Sequence, residues 1–192
     1  MISEIQIHSR FEIVAFMNGI NQYKLTDKPF ILISCFGNEH SFILNNGGLH
    51  TPNVLLKNEQ KINLLKQKGM VDFVNVHCDD ITLDQYNEIH TQCPGEYLLK
   101  LYDQNNAKDV VEFIEKYKND DVVLIIHCDA GVSRSSAHGI FAQLVLKIPT
   151  NRLFEKHPWI KPNYYIVDQL CKYYGIEYHT ITEIPLNTTY GS

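Results

Sequence analysis

The stretch VVLIIHCDAGVSRSSAHGIFAQLVLK, residues 122–147, decides the fold, because it predicts a strand, a tight turn and a helix in immediate succession. Val122 to Ile126 is a continuous aliphatic run, as expected for a strand buried on both faces. Ser135 to Lys147 is predicted to be a helix that is broken by Pro149. Gly131 lies in the turn between them, where a residue without a Cβ allows the chain to curl tightly.

Strand and helix patterns alternate along the rest of the chain. Ser9 and Glu12 form a capping-box pattern that predicts a helix running to about Gly19, and Asn58 is predicted to cap another helix that Gly69 ends. Further strands are predicted at Ile5–Ile7, Phe30–Phe36 and Val71–Val76, and further helices at Lys108–Lys118 and Tyr164–Tyr174. This alternation predicts an α/β fold with a mainly parallel central sheet flanked by helices.

Composition and charge narrow the class of protein. The chain has 192 residues without repeats or a linker-like segment, so we expect one domain over residues 1–179 and a C-terminal tail over 180–192. The net charge of −5, with only three arginines, argues against nucleic acid as a partner. The longest aliphatic run has five residues, too short to span a membrane. The first residues do not resemble a secretory signal, so we expect a cytoplasmic protein whose five cysteines are free thiols.

The segment after Ile126 combines three groups that suit phosphate chemistry. In parallel sheets, ligands bind beyond the carboxyl ends of the strands, and a turn that enters a helix presents its amides to an anion. Cys128 lies at the base of this turn, where positive potential favours a thiolate. Arg134 can bind two phosphate oxygens, and Ser135 can donate a hydrogen bond to the sulfur. The predicted substrate-binding residues are those of the turn, Asp129, Ala130, Gly131, Val132, Ser133 and Arg134.

The segment HCDAGVSRSSA resembles the H-C-x5-R-S/T signature of the protein tyrosine phosphatase superfamily, and looks most like its compact dual-specificity members. Lys161-Pro-Asn163 with the last helix, and the strand PFILISCF, resemble segments of the same type, including bacterial and phage-encoded members. The resemblance implies a cysteine-phosphatase fold that hydrolyses phosphate monoesters through a cysteinyl-phosphate, without a cofactor. It also implies a phosphorylated protein as substrate, with phosphotyrosine and, in dual-specificity members, phosphoserine or phosphothreonine.

The resemblance assigns a role to each residue of the signature. Cys128 is expected to be the nucleophile and Arg134 the phosphate clamp, while Ser135 assists departure of the thiolate and the amides of residues 129–134 bind phosphate. His127 is expected to orient the loop.

The general acid that such a mechanism needs must come from another loop. Asp79 and Asp80 follow the strand VDFVNV, and the second aspartate of this pair falls at the acid position of similar proteins, so Asp80 is preferred over Asp79. Asp103 is a third candidate, with a role at the start of a helix as its simpler explanation. Residues 84–106 form an insertion relative to compact members, and we expect either a lid or a structural addition there.

Three other interpretations stay open at this point. A phosphoinositide phosphatase or an RNA 5′-phosphatase would use the same loop, although lysines in the loop would favour inositides and this loop has none. A catalytically silent module would bind phosphoproteins without turning them over, but both Cys128 and Arg134 are present. The pairs His77-Cys78 and His127-Cys128 suggest zinc ligands, yet adjacent residues at a strand end point in opposite directions, so we expect no metal.

Overall fold

The computed structural model describes residues 1–20, 24–37, 59–93, 99–149 and 151–177. Its centre is a sheet of four strands in the order β1-β4-β2-β3, and every neighbouring pair is parallel. The strands are β1 Glu4–Ser9, β2 Phe30–Phe36, β3 Met70–His77 and β4 Val123–Cys128. The predicted α/β class with a parallel sheet is confirmed.

Seven helices are present in the described part of the chain, and they cover both faces of the sheet. They are α1 Arg10–Met17, α2 Glu59–Gln67, α3 Leu83–Gln92, α4 Gln104–Tyr117, α5 Arg134–Val145, α6 Asn151–Lys156 and α7 Tyr164–Tyr174. The Ser9–Glu12 capping box is formed as predicted, and α7 has the predicted bounds. Asn58 and the tail 180–192 lie outside the described residues.

Alternating side chains of the central strands belong to two separate apolar cores, one on each face of the sheet. Leu124 and Ile126 of β4 pack with residues of α4, α5 and α7 on one face. Val123 and Ile125 pack with α1 and α2 on the other. Because successive strand residues point to opposite faces, a strand that is apolar throughout must be covered on both sides. Strand β4 is therefore fixed in position, and the loop at its carboxyl end starts from a rigid base.

Helices α4 and α5 have bounds that differ from those predicted. Helix α4 begins at Gln104, four residues before the predicted Lys108, because Asp103 and Asn106 form a capping box there. Helix α5 spans Arg134–Val145 instead of 135–147, and the backbone at Lys147 has a positive φ of 55°. Hydrophobic spacing locates the buried face of a helix but not its first turn, which polar caps decide.

The insertion predicted at 84–106 contributes a helix of its own. Helix α3 begins after Thr82, which forms a capping box with Gln85, and none of its side chains is buried. The chain then returns toward the sheet at Lys100, whose backbone carbonyl accepts a hydrogen bond from the Asp79 amide. Within the part of the chain that the structure describes, no helix is both long enough and apolar enough to cross a membrane.

Candidate active site

The loop of residues 129–133 connects the carboxyl end of β4 to the first turn of α5. Cys128 is the last residue of β4 and Arg134 the first of α5, and both are buried. Gly131 has a φ of 71°, and a Cβ there would lie 2.8 Å from the backbone of His8 and of Ser9. The loop therefore rests directly on the junction of β1 and α1, and only glycine fits at this contact.

Three carbonyl groups of this loop accept hydrogen bonds from backbone amides outside it, which sets the direction of the peptide units to which they belong. Asp129 O accepts from the Arg10 amide at 3.1 Å, and Val132 O accepts from the Lys161 amide at 3.0 Å. Ser133 O accepts from the Ala137 amide at 3.0 Å. In a trans peptide the C=O and the next N–H point in opposite directions. The amides of residues 130, 133 and 134 consequently point away from these contacts, toward the inside of the loop, as an anion-binding turn requires.

The sulfur of Cys128 contacts the Ser135 hydroxyl within this loop. Cys128 Sγ lies 3.2 Å from Ser135 Oγ, and the serine is completely buried in the first turn of α5. A hydroxyl at this distance can donate to a thiolate and stabilise its negative charge. The predicted pair of cysteine and serine is thus brought together.

Two further buried thiols, those of Cys35 and Cys78, lie near the loop. Cys35 and Cys78 belong to the same apolar core as Cys128. Burial raises the pKa of Cys78 to about 12 and raises the pKa of Cys35 well above its usual value. Both thiols stay protonated at neutral pH. Burial likewise lowers the pKa of His127 to about 4, so this histidine is neutral beside the nucleophile.

Arg134 reaches from α5 to two anchoring oxygens. Its Nη1 donates to the Cys78 carbonyl at 3.0 Å, and its Nη2 donates to Asp129 Oδ2 at 2.9 Å. Burial alone would lower the pKa of Arg134, but the neighbouring sulfurs and Asp129 outweigh it and raise that pKa, so the guanidinium stays charged. The site therefore contains a buried positive charge beside the loop.

The predicted acid Asp80 lies beside the loop. Asp80 Oδ1 accepts a hydrogen bond from Ser133 Oγ at 2.7 Å and another from Asn163 Nδ2 at 3.1 Å. The residue is exposed, and its Oδ2 accepts no hydrogen bond from the described residues. One carboxylate oxygen of Asp80 is thus held beside the loop by two side chains.

Asp79 and Asp103 have structural partners instead. Asp79 Oδ2 accepts from the Lys100 amide at 2.6 Å, and the Asp79 amide donates to the Lys100 carbonyl at 2.8 Å, so this residue anchors the chain as it returns from the insertion. Asp103 Oδ1 accepts from the Asn106 amide at 2.9 Å and caps α4. The helix-start role considered for Asp103 is confirmed. Asp80 contacts a side chain of the loop, the hydroxyl of Ser133.

Two residues at the site were not predicted to act there. Asn163, the buried N-cap of α7, connects Asp80 to the loop. Its side-chain amide donates to Asp80, and its backbone amide donates to Ser133 O at 3.5 Å. Arg10 Nη1 contacts Asp129 Oδ1 at 2.8 Å. The Lys-Pro-Asn segment carried a signal for the first, but nothing in the sequence connects residue 10 to residue 129.

Metal-ligating side chains do not cluster in the described ranges. Among those residues no group of three or more histidine, cysteine, aspartate or glutamate side chains is arranged to hold an ion. The His77-Cys78 and His127-Cys128 pairs lie at the ends of β3 and β4, which β2 separates in the sheet, and they form no such group.

Comparison with known proteins concerns the fold. No protein-family model and no curated protein matches the chain. Among solved structures, it is similar to PTPMT1 in complex with PI(5)P, at 13% identity over 90% of both chains with a TM-score of 0.47. It is also similar to the Cydia pomonella PTP-2 phosphatase, at 15% identity over 88% of this chain and 84% of that one, TM-score 0.45.

The active form of Tk-PTP is a third such structure, at 11% identity over 89% of this chain and 91% of that one, TM-score 0.46. At these identities and with TM-scores below 0.5, the likeness assigns no chemistry to this chain, and its function follows from the residues of its own site.

Proposed function

We propose that this chain is a cysteine-dependent phosphatase that hydrolyses phosphate monoesters on proteins, phosphotyrosine first and phosphoserine or phosphothreonine as a dual-specificity extension. One observation carries the proposal. The sulfur of Cys128 lies 3.2 Å from the Ser135 hydroxyl, at the base of a loop whose outward-bonded carbonyls turn its amides inward. A nucleophile, an oxyanion-binding loop and the Arg134 cation thus occur within eight residues on a rigid strand and helix.

In the first step, the Cys128 thiolate attacks phosphorus in line with the leaving oxygen. An S–P bond forms as the P–O bond to the substrate breaks, and the inward amides with Arg134 stabilise the charge on the equatorial oxygens. The leaving oxygen takes a proton from Asp80. Phosphate is thereby transferred to the enzyme, and the substrate departs as an alcohol or phenol.

In the second step, water hydrolyses the cysteinyl-phosphate. Asp80, now ionised, takes a proton from the water as its oxygen forms a bond to phosphorus and the S–P bond breaks. The departing sulfur becomes a thiolate again, and the Ser135 hydroxyl donates to it at the distance already described. Inorganic phosphate is released, and the enzyme regains its starting charge.

The contacts of Asp80 support its role as the acid. Its tie to Ser133 keeps it over the loop, whereas Asp79 is bonded to the backbone of Lys100 and Asp103 caps α4. The general acid has to be within reach of the leaving oxygen, and the contact with Ser133 holds Asp80 beside the phosphate-binding loop. This comparison favours Asp80 over the other two candidates.

A phosphorylated protein in the cytoplasm is the substrate we infer. No lysine occurs between Cys128 and Arg134 that could bind the additional phosphates of an inositide. A phosphoinositide or RNA 5′-phosphatase activity remains the second candidate. The substrate classes can be ranked by their rates of hydrolysis, measured side by side. The substrates are a phosphotyrosine peptide, a phosphothreonine peptide, a phosphoinositide and a 5′-phosphorylated RNA.

The first test is hydrolysis of p-nitrophenyl phosphate from pH 5 to 8 with EDTA present and vanadate as inhibitor. Wild type should be active, and Cys128→Ser should lose all measurable activity. Asp80→Asn should lower kcat by about 10²- to 10⁴-fold, the usual contribution of a general acid. Asp121→Asn is the matched control, since Asp121 pairs with Lys28 on the exposed surface and should leave the rate unchanged.

Each other outcome points to a different conclusion. If Asp80→Asn retains full activity while Cys128→Ser has none, the acid is Asp79 or Asp103. If wild type is inactive yet binds vanadate, the chain is a phosphoprotein-binding module instead of an enzyme. If Cys128→Ser retains the wild-type rate, the cysteine mechanism is wrong.

A further inference from the structure

The carboxylate of Asp129 lies between two guanidinium groups. Its Oδ1 is 2.8 Å from Arg10 Nη1, and its Oδ2 is 2.9 Å from Arg134 Nη2. The sequence contains only three arginines, and two of them meet at this one carboxylate. Such a concentration of a scarce residue around the residue next to the nucleophile calls for a functional explanation.

The backbone holds this arrangement in place from both sides. Ser9 pairs with Cys128 in the register of β1 and β4, so the start of α1 lies next to the start of the loop. The Arg10 amide donates to the Asp129 carbonyl at 3.1 Å, and the capping box at Ser9 fixes the first turn of α1. The side-chain contact between Arg10 and Asp129 is therefore built on elements that do not move independently.

An arginine that clamps phosphate works best if its orientation is set before the substrate arrives. Arg134 has a long side chain, and its anchors include the Cys78 carbonyl on Nη1 and Asp129 on Nη2. The Cys78 carbonyl is part of the backbone and is fixed. Asp129 is a rotatable side chain that is 31% exposed, so it needs a partner of its own to act as an anchor, and Arg10 is that partner.

We propose that Asp129 is a positioning residue, held by Arg10, that orients the Arg134 guanidinium for phosphoryl transfer. The proposal rests on the proposed phosphatase function and adds two residues to it. Simple charge attraction predicts the opposite effect, since removing a negative charge beside the loop should strengthen binding of a phosphate dianion. The two explanations therefore differ in sign, and experiment can separate them.

The test compares Asp129→Asn, Arg10→Gln and the double variant in p-nitrophenyl phosphate hydrolysis. Inhibition by vanadate, which mimics the transition state, is measured beside inhibition by inorganic phosphate, which mimics the ground state. Asp129→Asn should lower kcat about tenfold and weaken vanadate inhibition by a similar factor, because small displacements of a positioned group are costly in the transition state. Phosphate inhibition should stay the same or strengthen.

The double variant tests whether Arg10 acts through Asp129. If it does, the double variant has the rate of Asp129→Asn alone, because the second change removes nothing further. Multiplied effects would refute the connection, and unchanged or stronger vanadate inhibition in Asp129→Asn would refute the positioning role. Arg10→Lys keeps the charge without the planar fork, and it should fall between wild type and Arg10→Gln.

Controls separate this inference from the proposed function. Asp121→Asn removes a carboxylate from a remote ion pair and should match wild type in every measurement. Equal loss of vanadate and phosphate inhibition in Asp129→Asn would indicate a distorted loop and would also overturn the positioning role. An inactive wild type refutes the phosphatase function itself, whereas an active wild type with an unaffected Asp129→Asn refutes only the positioning role.

Discussion

Acid should destabilise this protein through two buried histidines at the site. His127 precedes the nucleophile, and His138 Nδ1 lies 2.7 Å from the carbonyl of Arg134, within the first turns of α5. Burial lowers the pKa of each to about 4 from an ordinary value of 6.5. Below pH 6.5 the unfolded chain takes up protons that the folded chain does not accept until about pH 4. Stability is therefore complete above pH 6.5 and falls as the pH decreases through this window.

The size of the effect follows from the two pKa values. Across the full window, each histidine should lower the free energy of unfolding by about 3 kcal/mol, a large share of the 5–15 kcal/mol that is typical of a domain. Between pH 6 and pH 5, where carboxylates still titrate little, each should lower the free energy of unfolding by about 1.2 kcal/mol. The acidic range used for phosphatase assays thus overlaps the range in which the site loses stability.

Urea unfolding at pH 7.5, 6 and 5 measures this slope in wild type and in His138→Asn. The asparagine amide keeps a donor for the Arg134 carbonyl but does not titrate, so the slope between pH 6 and 5 should become shallower by about 1.2 kcal/mol. Any constant loss of packing shifts the whole curve without changing its slope. His127→Asn should give the same change. Curves parallel to that of wild type would show that these histidines do not couple pH to stability.

Two substitutions test the contacts that shape the loop and assign the acidic residues. Gly131→Ala should destabilise the protein far more than Gly175→Ala. Both glycines have a positive φ, but only a Cβ at residue 131 would lie 2.8 Å from backbone atoms. Equal changes in Tm would contradict that close approach. Asp103→Ala should lower the free energy of unfolding by about 1 kcal/mol, because the cap of α4 is lost, and it should leave kcat unchanged. A loss of kcat comparable to that of Asp80→Asn would show that Asp103 takes part in catalysis.

Prediction from sequence succeeded where the information is local. The capping box of Ser9 and Glu12 and the bounds of α7 depend on residues three or four apart, and both are formed as predicted. The strand, loop and helix at 122–147 likewise follow from a continuous run of residues. The start of α4 was predicted four residues too late, because the hydrophobic spacing that set the predicted start does not extend into the polar first turn, which Asp103 and Asn106 cap.

The distinction between the three acidic candidates could not be drawn in the same way. Asp79 and Asp80 are neighbours with the same chemistry, so spacing cannot separate them. In the folded chain one contacts the backbone of residue 100 and the other contacts Ser133, 53 residues away. Such contacts depend on how loops from different strands meet, and no local pattern encodes them.

The class of the fold and the grouping of Cys128, Arg134 and Ser135 can be read from the sequence, because the alternation of strands and helices and the order of a short loop are properties of consecutive residues. The strand order β1-β4-β2-β3 becomes visible in the folded chain, and it brings the start of α1 against the loop. That placement joins Arg10 to Asp129, 119 residues away in the chain. Long-range packing selects such partners, since the geometry of the whole sheet sets which ends of the chain meet.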